Sequence, residues 1–341
     1  MVTQKAQPIG QSEGRTAEWM GWRITQRTSR ETGIRPQLDG VLAMPGIIMA
    51  WNLKKPTRGT NTGPKERHGF FSPAMCNLRV PCHVQRGLTG RPGMMTPKIA
   101  IALVCKTPAI GRGKSRLWPL LGQVRTAQLS ACFISDVAET LAALPATLPR
   151  QCYALFSPAG TEAALRELLT PDWQLIPREA DNVGQVLEAS LKALLQAGHD
   201  SVIFMNSDSP SLPAILIEEA ITALRADGDR VVLGPSLDGG YYLIGLKGFH
   251  PALFRNMAWS TAAVFTETCA RAAQMGLPVH VLHEWYDVDE AQDFHRLKAE
   301  CGGQPPFPDA VVQGGPARYT RALLAAWTAA ETSPSHQPGQ G

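Results

Sequence analysis

The sequence predicts an α/β protein, a three-layer α/β/α sandwich around a mainly parallel central sheet. From residue 98 onward, short apolar runs alternate with longer segments of helical period, which is typical of a parallel sheet covered on both faces. The first run, "KIAIALVC", is continuously apolar, as expected of a strand buried on both sides. The alternation contains no internal repeat. We therefore expect one folded domain over residues 96–301.

The individual elements follow from these periods. Strands are expected at "KIAIALVC", "CYALFS", "WQLI", "SVIFMN", "RVVLG", "GGYYLIGL" and "PVHVLHEW". An apolar residue at every fourth position indicates a first helix that ends near Pro145. These apolar residues are Leu129, Phe133, Val137 and Leu141. Further helices are expected at "GTEAALRELL", "VGQVLEASLKALLQAG", "AILIEEAITALRA", "TAAVFTETCARAAQMG" and "EAQDFHRLKAE".

The charge distribution separates the N-terminal part from the rest. Residues 1–94 carry 14 Lys/Arg and 5 Asp/Glu, whereas residues 95–341 carry 19 and 24. Residues 1–95 show no sustained period, so we interpret them as a disordered or spurious extension, with a basic arm for nucleic acid or an acidic partner as the alternative. Residues 302–341 are expected to be a Pro/Gly-rich tail with one short helix near "RALLAAWTAA".

Cysteine usage and hydropathy indicate the compartment. The seven cysteines form no CxxC pair, and the N-terminus lacks the order of a signal peptide, so reduced thiols in the cytoplasm are expected. No apolar run is long enough for a membrane span. The spacing of Cys76, Cys82, His68 and His83 matches no common zinc finger. A nucleic-acid partner is not expected, because a basic tract by itself carries little specificity. The sequence leaves the oligomeric state open.

Charged residues follow three of the predicted strands. The loop "CKTPAIGRGKSRL" carries four cations and Gly113, while "NSDSP" and "YDVDE" carry carboxylates. Because the carboxyl ends of parallel strands meet at one edge, we expect these groups to converge. Cations that hold phosphate oxygens and carboxylates that hold a divalent ion make a phosphate–metal site. Its candidate residues are Lys106, Arg112, Lys114, Arg116, Asp208, Asp287 and Asp289.

Each of these segments also has a simpler interpretation. The cations could form a solvated loop, and Asp208 could shape a turn or cap the next helix. Asp289 precedes a helix and has Gln292 three positions later, which is a capping-box pattern. "DGGYYLIG" could be a tight turn that leads into a strand. The histidines show no pairing that suggests catalysis, and we interpret these four as structural: His199, His280, His283 and His295.

The segments together resemble a known family. "VCKTPAIGRGKSRLWPLLG", "NSDSPSLP", "VVLGPSLDGGYYLIGL", "AWST" and "YDVDEAQDF" have the order and spacing of the glycosyltransferase-like, radical-SAM/selenodomain-associated transferases. That family belongs to the nucleotide-diphospho-sugar transferase superfamily, with the glycosyltransferase A fold. The resemblance covers about residues 98–300. The basic loop is also similar to that of 2-phospholactate guanylyltransferase.

This resemblance implies a nucleotide over the first loop, with Lys106, Lys114 and Arg116 near its phosphates. It implies Mg²⁺ or Mn²⁺ on Asp208, with Asp287 or Asp289 completing the shell. Asp208, Lys114 and Asp238 would be the catalytic residues. The acceptor side would be lined by Asp238, Gly239, Gly240, Trp259, Ser260 and Thr261. Two departures concern the acceptor and the metal: Gln185 and Val186 replace an acidic–basic pair after Gly184, and "NSDSP" has a single acid.

Three functions agree with these features. The first is a metal-dependent glycosyltransferase that moves a sugar from a nucleotide sugar to an unidentified small-molecule acceptor. The second is a nucleotidyltransferase that releases pyrophosphate from a nucleoside triphosphate, a reaction that a cation-rich loop favours. The third is a non-catalytic nucleotide-binding module, against which the acids at positions 208, 238 and 289 argue. We expect the first, by a small margin.

Overall fold

The computed structural model describes residues 99–178 and 182–332, together with four short strands nearer the N-terminus. Strands β1 (Glu18–Trp19) and β2 (Trp22–Arg23) pair antiparallel, as do β3 (Val41–Met44) and β4 (Ile47–Ala50). The sequence analysis did not predict these strands, because none is longer than four residues. The rest of the predicted extension over residues 1–95, including the four Cys and His residues considered for zinc, lies outside the described residues.

The core of the fold is a seven-stranded sheet in the order β11-β9-β10-β8-β5-β6-β7. Its strands are β5 (Ile99–Lys106), β6 (Arg150–Ser157), β7 (Gln174–Pro177), β8 (Ser201–Asn206), β9 (Val231–Pro235), β10 (Tyr241–Leu246) and β11 (Val279–Val281). Only β10 runs antiparallel to its neighbours, β8 and β9. The predicted mainly parallel sheet is confirmed.

Seven α-helices flank this sheet in the described part of the chain. They are α1 (Trp118–Ala143), α2 (Glu162–Arg166), α3 (Val183–Gln196), α4 (Ala214–Arg225), α5 (Val264–Gln274), α6 (Ala291–Cys301) and α7 (Arg318–Thr332). Helix α1 starts before the predicted apolar stripe, with Pro119 in its first turn, and is interrupted at Gly122. Gly198 follows the end of α3 with a φ of 96°, as expected of a residue that ends a helix.

The two faces of β5 explain the layered packing. Ile99, Ile101 and Leu103 point into a core shared with α1, α2, α4, α6 and α7. Ala100 and Ala102 point into a second core on the side of α3 and α5. The continuous apolar run in the sequence therefore corresponds to a strand that is buried on both faces.

The packed structure continues beyond residue 301, where the sequence analysis ended the domain. Leu323 and Leu324 of α7 belong to the larger core. The buried Asp136 of α1 accepts hydrogen bonds from the backbone N–H groups of Tyr319 (2.8 Å) and Thr320 (3.0 Å), at the start of α7. The expected helix near 321–330 is thus a longer, docked helix whose N-terminus is capped from another element.

Among the described helices, none combines the length and the apolar composition that crossing a bilayer requires. His199, which we interpreted as structural, is buried, and its Nε2 lies 2.8 Å from the hydroxyl oxygen of Tyr153.

The contact of Asp136 with α7 predicts a pH dependence of stability. Burial raises the pKa of the Asp136 carboxyl to about 6, although hydrogen bonds from Thr320 and Tyr319 oppose the shift. The folded protein therefore binds this proton more tightly than the unfolded chain, whose Asp has a pKa of about 3.9. The stabilising contribution of this proton is complete below that value and is lost as the pH rises through about 6.

We expect the free energy of unfolding of the wild type to fall between about pH 4.5 and 7.5 relative to that of Asp136→Asn. This range covers about 3 pH units around the pKa of Asp136 in the folded protein. Urea denaturation at several pH values measures both. The exposed Asp227→Asn controls for the loss of a surface carboxylate. A difference between wild type and Asp136→Asn that does not change with pH would contradict this assignment.

Candidate active site

The carboxyl ends of β5 and β8 and the segment after β11 converge at one edge of the sheet. The turn between β9 and β10 reaches the same edge, because β10 runs back antiparallel from the end of β9. These segments enclose a cavity of about 710 Å³. Of the residues expected from the sequence to form the site, all but Gly239 line this cavity: Lys106, Arg112, Gly113, Lys114, Arg116, Asp208, Asp238, Gly240, Trp259, Ser260, Thr261, Asp287 and Asp289.

The basic loop presents two cations to the cavity without an ion pair. Within the described part of the chain, neither Lys106 nor Arg112 has an ion-pair partner, whereas Arg116 Nη1 lies 2.9 Å from Glu290 Oε1 in an exposed pair. The backbone N–H of Arg112 donates to the carbonyl of Ala109 (3.1 Å), and Gly113 has a φ of 68°. This turn leaves Lys106 and Arg112 available to an anion.

Lys114 is buried between the two acidic loops. Its Nζ lies 2.8 Å from Asp208 Oδ1, 3.0 Å from Asp289 Oδ1 and 2.7 Å from the carbonyl oxygen of Val288. The side chain is 7% exposed, and the backbone has a φ of 42°, an uncommon conformation for a residue with a side chain. Burial alone would lower the pKa of Lys114, but the charges of Asp208 and Asp289 outweigh it and raise the pKa above its usual value.

Asp289 is not the helix cap that the sequence suggested. The cap of α6 is Glu290, whose side chain accepts from the backbone of Asp293, while Asp293 accepts from the backbone N–H of Glu290 at 2.9 Å. The capping box is therefore shifted by one residue, because Asp293 and not Gln292 occupies its third position. The shift leaves the carboxylate of Asp289 free to meet Lys114.

Asp208 does not cap the next helix either. Helix α4 begins after Pro213 with no side-chain cap. The backbone carbonyl of Asp208 accepts a hydrogen bond from the N–H of Val288 at 2.9 Å, which ties its loop to the loop of Asp289. Its carboxylate is committed to Lys114.

Asp287 lies apart from this contact. Its Oδ1 accepts a hydrogen bond from Ser236 Oγ at 2.7 Å. Burial raises the pKa of Asp287 to about 7, and the negative charges of Asp238, Asp289 and Asp208 add to the shift. The site edge thus concentrates four aspartates beside Glu290, and two of the aspartates share the ammonium of Lys114.

The residues expected on the acceptor side line another wall of the cavity, formed by the β9–β10 turn and the segment before α5. Asp238 Oδ1 accepts from the N–H of Gly240 (2.8 Å) in the β9–β10 turn. Gly239, with a φ of 85°, lies so close to Ala262 that a Cβ there would meet the Ala262 carbonyl oxygen at 2.3 Å. Gly184 of α3 likewise leaves room for the indole of Trp259, since a Cβ would lie 2.6 Å from its Nε1. Glycines therefore set the shape of this wall.

The sequence analysis missed one cation of the site. Arg178 follows β7 and lines the cavity, with Nη2 donating to Ser157 Oγ at 2.9 Å and to the carbonyl of Cys105 at 3.3 Å. The available signal was a basic residue directly after the predicted strand "WQLI" and Pro177. β7 is the edge strand next to β6, so only the strand order brings Arg178 to the cavity.

A buried polar network beneath the site was also missed. Glu300 Oε2 accepts from Ser211 Oγ (2.9 Å) and from the hydroxyl of Tyr286, and Glu300 Oε1 is buried with no hydrogen-bond partner in the described structure. Ser211 lies in the loop of Asp208, and Tyr286 lies in the loop of Asp289. Glu300 therefore connects the two acidic loops from below.

The donor set of the site is compatible with a divalent cation. Oxygens of Asp208 and Asp289 converge on one position, now taken by the Lys114 ammonium, and Mg²⁺ is often held by one or two carboxylates together with substrate phosphates. No group of three His, Cys, Asp or Glu side chains that could hold a metal occurs in residues 99–178 and 182–332. Asp208 and Asp289 are thus the two carboxylates that could hold a divalent cation together with substrate phosphates. Asp287 does not form a three-carboxylate group with them.

Comparison with known proteins bears on the fold. The family described as "Uncharacterized protein conserved in bacteria" (DUF2064) matches residues 140–261, which include Asp208, Asp238 and Trp259. A solved chain from Desulfovibrio desulfuricans G20, described as a candidate nucleotide-diphospho-sugar transferase, is 25% identical with a TM-score of 0.59. The similarity covers 69% of the present chain and 96% of that chain. The fold is that of the nucleotide-diphospho-sugar transferases.

More distant structures share less of the fold. Glucosyl-3-phosphoglycerate synthase from Mycobacterium tuberculosis is 13% identical with a TM-score of 0.38, over 60% of the present chain and 80% of that chain. 4-Diphosphocytidyl-2C-methyl-D-erythritol synthase from Anaerococcus prevotii DSM 20548 is 12% identical with a TM-score of 0.40, over 58% and 93%. Both are too dissimilar to support an argument about activity. None of the curated proteins matches the chain.

The network around Glu300 predicts a stability effect. Tyr286→Phe removes one of the two hydroxyl donors to a buried carboxylate, so we expect the free energy of unfolding to fall by about 1–3 kcal/mol. Urea denaturation at neutral pH measures it. Tyr319→Phe, which removes a hydroxyl from a 43% exposed ring, is the matched control. Equal stability of the two variants would contradict the role assigned to this network.

Proposed function

We propose that the protein is a metal-dependent transferase that uses a nucleotide-activated substrate, with glycosyl transfer from a nucleotide sugar as the leading reaction. The observation that carries the proposal is the placement of unpaired cations, Lys106 and Arg112, beside the carboxylates of Asp208 and Asp289 in one cavity. A diphosphate needs positive groups on its oxygens, and a divalent ion bridging those oxygens needs carboxylates. The fold supports the same substrate class.

The two walls of the cavity suggest how the substrates are arranged. The basic loop and Arg178 would hold the phosphates, and Asp208 with Asp289 would hold Mg²⁺ or Mn²⁺. That ion would stabilise the negative charge developing on the leaving diphosphate. The acceptor would lie against Asp238 and Trp259.

The proposed glycosyl transfer breaks one bond to the sugar and forms another. The bond between the sugar and the diphosphate breaks, and its electron pair stays on the diphosphate oxygen. The hydroxyl oxygen of the acceptor forms the new bond to the sugar and loses its proton, for which Asp238 is our candidate base. The products are a glycosylated acceptor and a nucleoside diphosphate.

Nucleotidyl transfer is the second candidate, favoured by the number of cations around the cavity. Arg178 adds to Lys106, Arg112 and Arg116, and a triphosphate develops more charge on its leaving group than a nucleotide sugar does. The resemblance of the basic loop to 2-phospholactate guanylyltransferase supports this alternative. In that reaction the acceptor attacks the α-phosphorus and pyrophosphate leaves.

We place either reaction in the cytoplasm, since the described cysteines are free thiols. The acceptor would be a small molecule, because the cavity has a volume of about 710 Å³, which is in the range of small-molecule sites.

Product analysis tests the proposal. The protein is incubated with Mn²⁺, nucleotide sugars or nucleoside triphosphates, and a panel of small hydroxylated and phosphorylated acceptors. We expect nucleoside diphosphate, with a rate lowered at least about 100-fold in Asp208→Asn. Asp200→Asn, an exposed residue at the opposite end of β8, is the matched control. Pyrophosphate would select nucleotidyl transfer, and thermal stabilisation by nucleotides without any product would select a binding module.

The unpaired cations predict a second result. Lys106→Ala and Arg112→Ala should each weaken binding of a nucleoside triphosphate by about tenfold, since each loses a charge-assisted contact to phosphate. Binding of the corresponding nucleoside should change little. Calorimetric titration measures both ligands, with Lys192→Ala on the exposed face of α3 as control. An equal loss of affinity for the triphosphate and the nucleoside would show that these cations do not bind the phosphates.

A further inference from the structure

The ammonium of Lys114 is fully coordinated inside the protein. A lysine ammonium has three N–H donors, and here three acceptor oxygens lie within 3.0 Å: those of Asp208, Asp289 and the Val288 carbonyl. The same Nζ lies 5.3 Å from the centre of the Phe133 ring. A residue placed to bind phosphate would leave donors free, and Lys114 leaves none.

This arrangement puts a positive charge at the point where the oxygens of two carboxylates converge. Two carboxylates that share a site repel each other unless a cation lies between them. A buried charge is tolerated only when it is paired and hydrogen-bonded. Lys114 therefore does for Asp208 and Asp289 what a bound metal ion would do.

The backbone holds Lys114 in place, while its side chain can leave. Lys114 has a left-handed backbone conformation after Gly113, and its carbonyl accepts from the N–H of Leu117 at 2.9 Å. The ammonium is attached through a flexible four-carbon stem and lines the same cavity as Lys106 and Arg112. Rotation of this stem can move the ammonium from the carboxylates toward an anion in the cavity without unfolding the loop.

We infer that Lys114 and a divalent cation are alternative occupants of the position between Asp208 and Asp289. The free protein keeps the site neutralised with its own lysine and holds no resident divalent ion. Metal enters together with the substrate phosphates, which receive the displaced ammonium. Only the entry of metal with the substrate phosphates rests on the proposed function. The exclusion of metal by Lys114 concerns the free protein and does not depend on that function.

Mn²⁺ alone, without nucleotide, tests the inference. Lys114→Met keeps a long apolar side chain against Phe133 and removes the charge. We expect the wild type to bind Mn²⁺ weakly and Lys114→Met to bind one equivalent at least tenfold more tightly, as measured by calorimetry and by the electron paramagnetic resonance signal of free Mn²⁺. In Lys114→Met/Asp208→Asn the gain should disappear, and Lys192→Ala, at an exposed position of α3, should bind Mn²⁺ as the wild type does.

Lys114→Met binding that is no tighter than that of the wild type would overturn the inference. So would tight binding of Mn²⁺ by the wild type alone. Because no nucleotide is present, these results are independent of whether the protein transfers sugars, nucleotides or nothing.

A second measurement uses the wild type and does not depend on the folding of the variant. Acylation of lysine amines is followed by peptide mass spectrometry, with and without saturating Mg²⁺. Displacement of the ammonium should increase the labelling of Lys114 at least about threefold and leave the exposed Lys192 unchanged, because only uncoordinated amines react readily. Labelling of Lys114 that does not respond to Mg²⁺ would exclude the displacement.

Discussion

The site depends on one contact, the ammonium of Lys114 between the carboxylates of Asp208 and Asp289. It joins three loops that are far apart in the sequence and meet only because β5, β8 and the segment after β11 end at the same edge. Without a cation there, the two acids would repel each other in a partly buried place. The contact thus sets both the geometry of the cavity and its charge, and it decides which cations the cavity can accept.

The contact is supported from below and from the side. Glu300 binds Ser211 and Tyr286, and so fixes the spacing of the two acidic loops from within the core. The capping box between Glu290 and Asp293 ends the second loop and directs Asp289 away from the helix. Such supports position functional groups without touching a ligand. The network around Glu300, unlike the capping box, corresponds to no pattern in the sequence.

The architecture could be predicted from the sequence because its signals are local. The run at β5 is apolar at every position since the strand is buried on both faces, and the helices carry one apolar stripe each. The docking of α7 was not predicted, because it depends on Leu323, Leu324 and a cap supplied by Asp136, and these contacts join segments that lie far apart in the chain. The capping box begins one residue later than the sequence indicated. Gln292 lies three positions after Asp289, and Asp293 lies three positions after Glu290, so the sequence offers two starting points for the box.

The sequence by itself determined the layered fold, the sheet edge where the charged loops meet and the types of residue collected there. Both the alternation of elements and the ends of the strands can be recognised from neighbouring positions in the chain. Only the tertiary structure decided how those residues pair. It placed the ammonium of Lys114 on the carboxylates of Asp208 and Asp289, left Asp287 out of that contact, and brought Arg178 to the cavity. These side-chain pairs depend on distances of a few ångströms between segments that are distant in the sequence. A buried charge needs a partner, and the charges become buried only once the sheet has formed.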